Sequence, residues 1–154
     1  MHLESFLQRV SERNIRLPAT RESTAGRAPE RIDALFHLPL LALAVMVIAR
    51  KREFKTILLG RNVALLLTEY FTALRHTPHA LETSLTLRRR CADALAFLEA
   101  AGLVLVSPDR LRVVTLSGGG KSHLDRAARD STDLGLLVRQ LLVTQERVIA
   151  RIGE

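Results

Sequence analysis

The 154-residue chain reads as mainly α-helical, with one β-hairpin, an apolar helix ahead of the core and a long helix at its end. Three observations predict that class. From Thr86 to Ala101, Leu, Arg and Ala dominate and no Gly, Pro or β-branched residue follows the first position, which favours helix. After Gly102 the apolar period shortens to that of strands, over Leu103–Val106 and Leu111–Leu116. From Asp133 to Ile152 apolar residues return at spacings of four and three, the period of an amphipathic helix.

In chain order, His2–Glu12 suits a short amphipathic helix with Leu3, Phe6, Leu7 and Val10 on one side. Pro18–Pro29 reads as a linker with little to bury. Residues 1–30 are therefore assigned to an N-terminal helix and linker, 31–130 to the core, and 131–154 to a C-terminal helix for oligomerisation or partner docking.

Ile32–Ala49 is the most apolar segment. Its uncharged run, Ala34–Ala49, counts 16 residues, contains His37 and Pro39, and stops at Arg50-Lys51-Arg52. A spanning helix needs roughly 20 apolar residues, so a buried core helix is expected and no membrane contact. Pro39 suits its first turn, with Ala34–Leu38 as a separate turn before it. Phe54–Leu59 is expected to form a small strand that Gly60 breaks. Arg61–His76 reads as a helix with Val63, Leu66, Leu67, Tyr70 and Leu74 inward. His76-Thr77-Pro78-His79 closes it, because the residue before a proline is pushed out of the α region. Ala80–Thr83 is a short helix or turn.

The central helix has Ser84 or Thr86 as N-cap and Gly102 to end it in a left-handed conformation. Leu87, Cys91, Leu95 and Leu98 form one buried stripe. The opposite face carries Arg89, Asp93, Ala96 and Ala100, with Ala92 on its shoulder and Arg88 and Arg90 flanking the stripe. Ser107-Pro108-Asp109-Arg110 places Pro and Asp where a type I turn wants them. The expected core gathers Leu66, Leu67, Leu87, Leu95, Leu98 and Val113.

A basic-headed helix, a glycine stop and a short hairpin resemble the second half of a winged helix-turn-helix domain, over about residues 61–120. The junction Leu98-Glu99-Ala100-Ala101-Gly102-Leu103-Val104 sits where that superfamily turns from recognition helix to wing. The resemblance implies a winged-helix core. It also implies a nucleic-acid surface on Arg88, Arg89 and Arg90, joined by the wing residues Arg110 and Arg112 and by Lys121.

Charge distribution agrees with an anionic partner. The net charge is +7; residues 1–61 carry 11 Lys or Arg against 6 Asp or Glu, and residues 84–129 carry 8 against 4. Only the first turn of the central helix offers hydrogen-bond donors, so reading of base edges is poorly provided for. The expected partner is double-stranded DNA, bound non-specifically or weakly specifically through its backbone. With no Trp and one Tyr, a base-stacking platform is not expected.

The remaining motifs weigh against chemistry. A single Cys excludes an internal disulfide framework and a cysteine zinc site, and suggests a reducing compartment. Met1-His2-Leu3-Glu4-Ser5 lacks the basic and apolar regions of a signal peptide, so a cytoplasmic location is expected. His76 and His79 have Pro78 between them and read as exposed turn residues, not metal ligands. Gly118-Gly119-Gly120-Lys121-Ser122 resembles the end of a phosphate-binding loop, but Thr115 stands where that pattern needs glycine. It reads as a flexible hinge capped by Ser122. Cys91 lies on the buried stripe, and no Ser, His and Asp grouping suggests catalysis. No enzyme activity, cofactor or metal is expected.

Leu134, Val138, Leu141, Gln145, Val148 and Ile152 approach a heptad in the last helix, and Leu137, Leu142 and Ile149 widen its apolar face. Leu134, Val138, Leu141, Val148 and Ile152 are the candidate interface of a homodimer or larger complex; packing on the chain's own helices is the alternative. Two function classes remain. The first is a winged-helix protein that holds the DNA backbone. The second is a non-catalytic winged-helix adaptor of a DNA-processing, chromosome-structuring or defence complex, docking through the Ala-rich face, the 32–49 helix and the last helix.

Overall fold

A computed structural model describes residues 38–71, 74 and 78–153. The helix at His2–Glu12, the linker at Pro18–Pro29, His76 and the turn expected at Ala34–Leu38 lie outside the described residues, except for Leu38, which begins the first helix. Within them the chain is mainly helical, with a small antiparallel sheet of order β1-β3-β2. The elements are α1 (Leu38–Lys51), β1 (Phe54–Lys55), α2 (Leu59–Tyr70), α3 (Pro78–Thr83), α4 (Leu85–Ala100), β2 (Val104–Val106), β3 (Val113–Leu116), α5 (Gly118–Arg129) and α6 (Asp133–Ile152).

Helix α1 carries Pro39 in its first turn, where no backbone donor is needed. It packs against α2, α4, α5 and α6, which explains an apolar surface on all sides: from Leu41 to Ala49 every residue but Leu43 is buried. Among the described residues, no helix is long and apolar enough to cross a membrane. Arg50 and Lys51 fall in the last turn, where cations suit the helix dipole. Arg50 pairs with Asp125 at 3.6 Å and Lys51 with Glu146, tying the end of α1 to α5 and α6.

The segment after α1 departs from expectation. Strand β1 has two residues, a single 3₁₀ turn follows at Thr56–Leu58, and Leu59 and Gly60 already belong to α2. Gly60 therefore lies inside a helix instead of breaking a strand. Helix α2 buries Val63, Leu66 and Leu67 as its period predicts, but it stops at Tyr70, where Phe71 turns extended. Tyr70 and Leu74 are only half-buried, and the Tyr70 hydroxyl donates to Gln140 Oε1 at 2.8 Å.

Helix α4 follows local rules closely. The Ser84 hydroxyl accepts from the Leu87 amide at 3.2 Å, the capping bond its side chain predicts. Gly102 sits at φ +72°; its amide donates to Glu99 O, and the Leu103 amide donates to Leu98 O at 2.9 Å. With Leu98 and Leu103 both buried, this is a complete Schellman ending. Leu87, Cys91, Leu95 and Leu98 are buried as one stripe, joined by Ala94. Burial pushes the Cys91 thiol up to about 12, so folded protein is expected to resist thiol-modifying reagents that label it once unfolded. Replacing Ser84 with alanine is expected to cost about 1 kcal/mol, read as a lower denaturant midpoint.

The hairpin is looser than a four-residue turn. Its loop spans residues 107–112, and β3 begins at Val113 instead of Leu111. Pairing of Phe54 and Val106 with Val114 places these residues on one face, and Val114 is fully buried. Val113 pairs with Lys55 on the opposite face and is only half-buried, which corrects its place in the expected core.

The glycine run is not a hinge. Gly118, Gly119 and Gly120 form the first turn of α5, and the N-cap is Ser117, not Ser122. The Ser117 hydroxyl accepts from the Gly120 amide at 3.0 Å and donates to Gly102 O at 2.7 Å, linking the start of α5 to the end of α4. Helix α6 is capped by Thr132 and packs against α1, α2 and α5. Val138, Leu141, Gln145 and Val148 are buried there, so this stripe belongs to the chain's own core.

Candidate functional site

The exposed basic residues of α4 are joined to the hairpin loop through the Thr56–Leu58 turn. At one end, the Thr56 amide donates to Arg112 O at 3.0 Å, and Lys55 pairs with Val113. At the other, Gly60 lies under the Arg88 side chain: a Cβ there would stand 3.0 Å from Arg88 Cγ. Arg88 also donates through Nε to Glu82 O at 3.3 Å, which fixes it over the start of α2 and the end of α3. The turn thus bridges two groups of arginines that lie far apart in sequence.

Arg88, Arg89, Arg90, Arg110 and Arg112 are all exposed. Among the described residues, Arg89, Arg90, Arg110 and the Arg112 guanidinium have no hydrogen-bond or ion-pair partner. Lys121 is exposed in the first turn of α5, and no such bond joins it to these arginines.

The loop holds Arg112 in a rarely occupied backbone conformation. Its φ is +43°, in the left-handed region that costs a non-glycine residue roughly 1 kcal/mol or more. Asp109 stabilises that geometry by accepting from Ser107 Oγ at 2.8 Å, Leu111 N at 3.1 Å and Arg112 N at 3.0 Å. The Ser107 hydroxyl, followed by the Arg112 and Leu111 amides, holds the Asp109 carboxyl below its usual range. A lowered folded-state pKa means that this contribution is present above the usual carboxylate range. It is lost as pH falls through the lowered pKa. Amide exchange at Leu111 and Arg112 is therefore expected to show less protection at acid pH, and Asp109→Asn should flatten that dependence.

Sequence reasoning missed the apolar members of this face. Ile57 is 86% exposed, Leu85 78% and Leu111 54%, while Leu58 is partly exposed beside them. Lys55 and Arg61 are exposed on the same stretch of chain. The apolar run Phe54–Leu59 reads as a small strand, but Ile57 and Leu58 lie in the 3₁₀ turn and are exposed.

The candidate partner residues of α6 are divided. Val138, Leu141 and Val148 are enclosed by the chain itself and Leu134 is half-buried, leaving Ile152 exposed near the C-terminus. A shallow depression of about 300 Å³ on α5 is lined by Ser122, Asp125, Arg126 and Arg129, and Arg50 already pairs with its carboxylate. Among the described residues, no group of His, Cys, Asp or Glu is placed to hold a metal ion. No protein-family model, curated protein or solved structure matches this chain.

Proposed function

We propose that this chain is a non-catalytic winged-helix module whose main role is to dock another protein. The winged-helix reading is supported by connectivity: α1, β1, α2, the short α3, the central helix α4 and then two strands, with β1 joining β3 and β3 joining β2. The docking role rests on one observation. Ile57, Leu85 and Leu111 stand exposed among the arginines of α4 and the loop. An apolar centre with a polar, Arg-rich surround is the anatomy of a protein interface. The Ala-rich outer face of α4 adds small side chains that allow close approach.

A second reading keeps the basic face for duplex DNA. Arg89, Arg90, Arg110 and Arg112 favour it, since they are exposed and lack acidic partners among the described residues. Two variants separate the readings: Ile57→Ser with Leu85→Ser and Leu111→Ser, and Arg88→Ala with Arg89→Ala and Arg90→Ala. If docking is the role, co-purification with a protein partner survives nuclease and is lost in the serine variant. The opposite result is duplex affinity that falls steeply with salt, that the arginine variant abolishes and that the serine variant leaves intact.

A further inference from the structure

The docking face has a second property that narrows its partner. Ile57 lies between Thr56, bonded to the hairpin loop at Arg112, and Gly60, which lies against Arg88. Leu85 occupies the first position of α4, one turn ahead of Arg88 and Arg89. Leu111 is the loop neighbour of Arg110 and Arg112. Exposed aliphatic side chains and cations thus alternate along the chain from the loop over the turn to the first turn of α4, with Arg88 held by Glu82 O.

Along this strip Lys55, Arg61 and the five arginines of α4 and the loop outnumber the carboxylates of Glu82, Asp93 and Asp109. Asp109 keeps its negative charge within the loop, held there by Ser107 and two backbone amides, and Glu82 is half-buried at the end of α3. Glu53 is exposed on the far side of β1 from the turn. A neutral or basic apolar ligand would leave several guanidinium groups partly desolvated without a counter-charge, which is costly. A phosphodiester backbone would neutralise them but offers no apolar group able to cover Ile57 and Leu85.

We propose that the occupant of this strip is an acidic segment of a partner protein, with two or three aliphatic or aromatic anchors spaced between carboxylates. The inference rests on the docking reading and adds the chemistry of the partner to it. The anchors cover Ile57, Leu85 and Leu111, and the carboxylates meet Arg88, Arg89 and Arg112 at the rim. Paired charges of that kind set orientation and association rate, while the apolar centre supplies most of the affinity.

The test is to pan a displayed library of short random peptides against the full chain and to measure the enriched peptides as synthetic probes. Acid-flanked apolar motifs are expected. Their affinity should fall roughly tenfold or more in Ile57→Ser, the loss typical of a central anchor. Arg61→Glu with Arg89→Glu, both surface changes, should also weaken them, and probes with Lys in place of their acids should regain part of the loss on that variant. Enriched peptides that depend on Ile57 but show no acidic preference would overturn the inference and leave the docking reading standing. Should no peptide depend on Ile57 while the protein binds duplex DNA through Arg88, Arg89 and Arg90, both would fall.

Discussion

Gly120→Ala is expected to destabilise the protein by about 3 kcal/mol, although alanine is the better helix former. A Cβ at this position would overlap the carbonyl oxygen of Leu103 and stand 2.7 Å from Leu116 Cδ1. The oxygen is backbone, and it already accepts from the Ser117 amide at 3.1 Å, so it has little room to retreat. Helix α5 would have to move away from the junction of α4 and β2. Gly118 is the matched control, because nothing lies within 4 Å of a Cβ there. Gly118→Ala should be neutral or stabilise by about 0.5 kcal/mol, through a less flexible unfolded chain. Urea midpoints of the two variants check the pair. Equal midpoints would mean that α5 does not approach β2 as closely as described.

Leu141→Asp is expected to unfold the protein outright. Leu141 is fully buried in α6, which packs on α1, α2 and α5. The change removes most of a buried aliphatic side chain, worth roughly 3 kcal/mol, and adds an unpaired carboxylate to an apolar site. Together these approach the whole stability of a domain this size, about 5–15 kcal/mol. Far-UV circular dichroism should show the helical signal collapsing. Val143→Asp, half-exposed on the outer side of the same helix, should change stability by no more than about 0.5 kcal/mol. A Leu141→Asp variant that keeps its helical signal while its sedimentation mass falls would instead restore the view that this stripe joins two chains.

The contrast within α6 shows why periodicity alone did not settle its role. Leu134, Val138, Leu141, Gln145 and Val148 announce a buried stripe, and from Val138 to Val148 the stripe is buried, with Leu134 half-buried at its start. A repeat of four and three carries no label saying whether the covering surface belongs to the same chain or to a second copy. Contacts with α1 and α2, far away in sequence, decide it.

What the sequence by itself determined were the features set within one turn or one helical face. A hydroxyl cap at Ser84 or Thr86, the left-handed Gly102, the Leu87–Leu98 stripe and the apolar α1 all follow from short-range hydrogen bonding, backbone sterics and the 3.6-residue period; the structure puts the cap on Ser84. The tertiary structure alone decided the pairing of β1 with β3, the inward turn of Val114 in place of Val113, and the absorption of Gly118–Gly120 into α5. It also decided that Ile57 faces outward between Arg88 and Arg112. Strand register, helix approach and the side of a short apolar run that meets water depend on contacts between distant segments. No local propensity encodes those contacts, and the candidate face is made of them.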